Sequence, residues 1–185
     1  MDLLNMLLNA GNGGAVKQMA RNFGLDENQA ASAISNLLPA IGQGLAHNAS
    51  KPNGIDSIMK ALSSGKHTQY IDNLDTLSDE NTVTDGNGIL GHILGSKDVS
   101  RQVAGAASAK TGIGQDVLKK MLPVVAAMAM GALGKQSSGS AINSLGSDGQ
   151  SQGGLMGMLG EFLDRDNDGS MLDDVLGMAS KLFKK

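Results

Sequence analysis

Met121 to Leu133, MLPVVAAMAMGAL, lies within a fourteen-residue window free of charged side chains, bounded by Lys120 and Lys135. A bilayer span takes ~20 apolar residues, so this run reads as too short to insert in a membrane. Pro123, Gly131 and Gly134 interrupt it as well. A helix that is apolar all round is cheapest when other helices surround it, so the window is the expected centre of an all-α fold.

Working back from this centre, the rest of the chain supplies amphipathic helices to cover it. Leu3, Leu4, Leu7 and Leu8 share one face of a short helix that ends at the Gly11 to Gly14 cluster. A second helix covers about Ala15 to Phe23 and stops at Gly24. Asp26 suits the N-cap of a third, because its carboxylate can accept from free backbone N–H groups of the first turn. That helix carries Ala33, Ile34, Leu37, Leu38, Ile41 and Leu45 on one stripe and meets Pro39, where a kink or restart is expected. The same is expected at Pro123.

An offset of 84 residues relates Gln18, Ala20, Leu38 and Pro39 to Gln102, Ala104, Leu122 and Pro123. The apolar pattern follows it. Residues 1–135 therefore read as one core of two related helical units, about 3–48 and 89–134. Between them, Ile55, Ile58, Met59 and Leu62 mark a helix, Tyr70, Ile71 and Leu74 a weaker stripe, and Leu77 to Gly88 a solvated connection.

After the core, residues 136–154 are rich in Ser, Gly, Gln and Asn and read as a flexible linker. Residues 155–185 read as a helix, an acidic loop and a second helix. Leu155, Met158, Leu159, Phe162 and Leu163 form the first stripe, and Leu172, Val175, Leu176, Ala179, Leu182 and Phe183 the second. A unit of ~30 residues is too small to be stable alone, so it is expected to dock on its own domain or on another copy.

The acidic loop is the one motif with metal-ligand spacing. Asp164, Asp166 and Asp168 stand at the first, third and fifth positions of a calcium loop, Gly169 at the sixth and Ser170 at the seventh, where a backbone carbonyl is used. The twelfth position should hold a bidentate acid and holds Val175; Asp174 lies one residue early. Without that acid, calcium would bind weakly, with Kd on the order of 10⁻⁴ to 10⁻³ M. The alternative is a capped turn, with Ser170 as N-cap and Asp173 completing the box. The two readings are compatible.

Three blocks carry a family likeness: GNGILGHILGSKDVSRQVAGAASAKTG from Gly86, DVLKKMLPVVAAMAMGAL from Asp116, and FLDRDNDGSMLDDVLGM from Phe162. Together they resemble the YidB-like bacterial family, domain of unknown function 937. The resemblance implies an all-α fold of bacterial origin and no particular activity.

Composition narrows the function classes. There is no Cys, which excludes thiol catalysis and disulfide frameworks. A formal net charge of −3 and four aromatic residues, Phe23, Tyr70, Phe162 and Phe183, give little to attract or stack nucleic acid. The spacing around Gly24 does resemble a helix-turn-helix, which makes a nucleic-acid binder the runner-up. Its second helix, however, begins Asp26-Glu27 and has no Lys or Arg through Ser50. His47, His67 and His92 are scattered, and His92 reads as packed or half-buried.

With no catalytic constellation or small-molecule motif, the expectation is a non-enzyme that acts on itself or on another protein, with no nucleic acid and no membrane insertion. MDLLNMLLNAG lacks the basic start of a secretory signal. The expected location is cytoplasmic, with leaderless export the other open route.

Overall fold

The computed structural model describes residues 3–63 and 66–140. These form α1 (Leu3–Asn9), α2 (Gly14–Phe23), α3 (Glu27–Ala49), α4 (Gly54–Ser63) and α5 (Gln69–Asp72). A 3₁₀ helix (Leu74–Ser78) leads to α6 (Glu80–Ile93), α7 (Lys97–Thr111) and α8 (Gln115–Ser140). Among the described residues there is no strand, so the fold is all-α.

The centre is α8. Every residue from Met121 to Gly134 is buried, and each of the other seven α-helices touches α8, α6 most extensively. The charge-free window is therefore covered on all sides, as its sequence demands. Fully burying each of Leu118, Met121, Leu122 and Met128 contributes ~1.5–3 kcal/mol. The length argument against a membrane span needs correcting, because the helix extends well beyond the charge-free window. Gln115–Gln136, at mean hydropathy 1.5, is long and apolar enough to cross a bilayer. In this fold 83% of that window is buried inside the protein, as in a core helix.

Local signals set the helix boundaries. Gly24 adopts the left-handed conformation (φ 66°), which ends α2 and lets the N–H of Leu25 reach the Ala20 carbonyl at 2.9 Å. Asp26 then caps α3. Its carboxylate accepts from the Gln29 N–H at 2.8 Å, and the Gln29 side chain accepts from the Asp26 N–H at 3.2 Å. The expected stripe of Ala33, Ile34, Leu37, Leu38, Ile41 and Leu45 is buried throughout.

Three expectations are overturned. Neither proline restarts its helix: α3 runs through Pro39 and α8 through Pro123 as single α-helices. Interior proline costs a helix ~3 kcal/mol, but both segments bury long apolar faces that outweigh it. Leu77 to Gly88 is not a solvated connection; it holds the end of the 3₁₀ helix and most of α6, with Leu77, Thr82 and Gly86 buried. His92 is exposed on α6 rather than packed.

The 84-residue offset pairs buried residues with buried residues, Ala20 with Ala104 and Leu38 with Leu122 among them. The helix boundaries do not follow the offset. Gly24 and Gly112, which end α2 and α7, are not related by it, and Pro39 is exposed where Pro123 is buried. Any two helices with core stripes would share burial in this way, so the relation between the units rests on sequence alone. Helix α8 also continues to Ser140, into the stretch read as linker.

Candidate functional site

The richest meeting of polar side chains is where α5, α6 and α8 converge. Tyr70, the chain's single tyrosine, is 1% exposed, and its hydroxyl donates to Asp85 Oδ2 on α6. Burial first, and the Asp85 hydrogen bond second, push its pKa up to about 12. The phenol is thus a proton-bearing donor at neutral pH, unsuited to act as a base or a phenolate nucleophile. His67, just before α5, packs its ring against Tyr70 with centroids 6.0 Å apart, and its Nδ1 is buried without a hydrogen-bond partner. On the outer side, Lys135 of α8 pairs with Asp72 of α5, both about half exposed.

Backbone contact completes this junction. A Cβ on Gly131 would lie 2.4 Å from the His67 carbonyl oxygen, so only glycine lets α8 approach the start of α5 so closely. The four-residue α5 is held by Tyr70 to α6, and by Asp72 and Gly131 to α8. A similar polar knot fixes α2 to the 3₁₀ helix: Gln18 Nε2 donates to Ser78 Oγ at 2.9 Å, and Ser78 Oγ donates to Asn22 Oδ1 at 2.9 Å. These clusters join helices. They are clamps.

The sequence-predicted metal ligands, Asp164, Asp166, Asp168, Ser170 and Asp174, all lie outside the described residues. Among the described residues, no group of three or more His, Asp or Glu side chains is placed to hold a metal ion. His47, His67 and His92 fall on α3, ahead of α5 and on α6, respectively.

The α2–Gly24–α3 corner forms with the expected tight turn and with Ala20 buried. Its second helix opens outward with Glu27, Asn28 and Gln29 and turns Ala30, Ala33 and Ile34 into the core. That surface gives DNA phosphates no cation. Sequence reasoning missed the Tyr70–Asp85 clamp, which pairs a weak apolar stripe with a stretch taken for loop. The only available signal was a lone aromatic ring in a chain nearly without them.

The described residues thus define a helical protein wound around one apolar helix, its interhelix polar groups engaged in holding that arrangement. The chain belongs to a family of bacterial proteins of unknown function (DUF937), whose model matches residues 5–136. The match begins in α1 and ends where α8 leaves the core. No curated protein and no solved structure matches the chain.

Proposed function

We propose that this is a non-catalytic helical protein that acts through protein contacts, with itself in the first place, using the segment beyond residue 154 as its contact element. The observation that carries this reading is how the apolar side chains are distributed. Among the described residues, Val99 is the one large hydrophobic residue counted as exposed, at 37%. The core therefore leaves a partner little apolar surface to grip. Residues 155–185, outside the family match, repeat an apolar stripe twice, and such faces need something to cover them.

The acidic loop between those stripes adds a weak calcium site to the proposal. A helix-turn-helix role in nucleic-acid binding is disfavoured by the acidic opening of α3. The test is solution mass by light scattering across a concentration series, with and without calcium. Self-association gives a mass above the 18.9 kDa of one chain. A mass fixed at one chain under every condition would remove self-association from the reading.

A further inference from the structure

Helices α7 and α8 meet in an elbow that gathers cations. Gln115 Nε2, in the first turn of α8, donates to the Arg101 carbonyl of α7 at 3.1 Å, so the two helices are in register there. Lys119 lies one turn after Gln115 on the same helical face, and Lys120 is its neighbour. Lys97 lies one turn before Arg101 on α7, and Lys110 stands at the bend. All five cations are exposed, and Arg101 alone has a paired carboxylate, Asp98 at 2.7 Å. Lys97 also opens α7, at the end of a helix where the macrodipole disfavours a cation.

A second observation falls on the same helix. Val99, the exposed large hydrophobic residue, stands between Lys97 and Arg101. An apolar side chain framed by cations fits a partner that is both apolar and acidic. The chain contains such a segment: Leu155 to Asp174 carries an apolar stripe and six carboxylates, with Arg165 its one cation.

We infer that the α7–α8 elbow seats the chain's own acidic segment, residues 155–174, through Val99 and the cations around it. The inference deepens the proposed contact role by naming a surface that receives the contact element. Reach allows it. From Ser140 back to the elbow, α8 covers ~30 Å at ~1.5 Å per residue, and residues 141–154 can span up to ~45 Å. A tether of this length also holds the segment near its own elbow at an effective concentration in the millimolar range. At micromolar protein its own chain therefore outcompetes a second copy.

The test is zero-length carbodiimide coupling of the full-length chain at high dilution, with linked peptides mapped by mass spectrometry. We expect amide links from Lys97, Lys119 or Lys120 to carboxylates of residues 155–174, in the monomer fraction, and their loss in high salt. Lys119→Glu with Lys120→Glu should reduce that coupling at least tenfold, and adding Glu161→Lys with Asp164→Lys should restore it between the same positions. Links found solely in a dimer fraction, links that avoid the elbow, or charge reversals without effect would each overturn the inference. Failure is separable from that of the contact role: self-association by light scattering without elbow links rejects the docking and leaves the role intact.

Discussion

Gly86 of α6 lies directly on the backbone of Pro123 of α8: a Cβ added at Gly86 would sit 2.0 Å from the Pro123 carbonyl oxygen and 2.8 Å from its Cα. Two helices cannot come closer while either carries a side chain at the crossing. Gly86→Ala must push α6 off the central helix, and overpacking of this kind costs ~1–3 kcal/mol or more. Gly88, two residues on in the same helix, meets nothing within 4 Å. There the alanine effect should reverse sign, stabilising by ~0.5–1 kcal/mol through helix propensity. Urea unfolding of the two variants compares them directly. A Gly86→Ala protein as stable as wild type would mean that the helices do not cross so closely.

Tyr70 makes stability depend on pH at the alkaline end. Its folded pKa is raised from 10.0 to about 12, so the folded state prefers the protonated phenol. The resulting stability is fully present below pH 10 and is lost as pH rises toward about 12. Because the chain holds one Tyr and no Trp, near-ultraviolet phenolate absorbance titrates this group alone. Tyr70→Phe should abolish the alkaline loss while costing ~1 kcal/mol at neutral pH for the missing hydrogen bond. A midpoint at 10 in the folded protein would show that Tyr70 is neither buried nor bonded to Asp85.

The contrast between α8 and α6 explains how much of this fold was legible in the sequence. Fourteen residues without a charge can only be a core, and Asp26 with Gln29 announces a helix start by chemistry local to a few residues. In α6 the outward positions Asn81, Thr84, Asp85 and Asn87 look solvated because they are exposed. Its inward positions include Thr82 and Gly86, which apolar periodicity does not register because they pack by backbone approach. Tyr70 and Asp85 are joined by tertiary structure, which no spacing rule anticipates. The acidic loop was legible as a spacing, and its ligands fall outside the described residues.

The two prolines answer to local rules that the tertiary fold overrides, and they should respond differently to removal. Pro39 is exposed on a continuous α3, so Pro39→Ala restores a backbone N–H and removes the ring's clash with the Ser35 carbonyl. A gain of ~1 kcal/mol or more is expected, less than the ~3 kcal/mol of a proline in an isolated helix, because the unfolded chain is freed too. Pro123 is buried against α6, so Pro123→Ala also loses packed ring atoms and should gain less or lose stability. Thermal melts of both variants decide it. Equal shifts for the two would show that burial at Pro123 contributes nothing.

The calcium reading of Asp164, Asp166 and Asp168 makes its own prediction. A ligand that binds only the folded state adds about 1.4 kcal/mol when its concentration is ten times Kd, so millimolar calcium should raise the melting temperature if the three carboxylates converge on it. In the absence of calcium the same carboxylates repel one another over a few ångströms. The double change Asp166→Asn with Asp168→Asn removes both ligands and repulsion. It should erase the calcium response and leave the calcium-free protein equal to wild type or slightly more stable. Titration calorimetry and melting curves at millimolar calcium check both halves. Should the wild type give neither a heat of binding nor a melting shift, the loop is a capped turn in which Ser170 and Asp173 close the following helix, and no metal role survives.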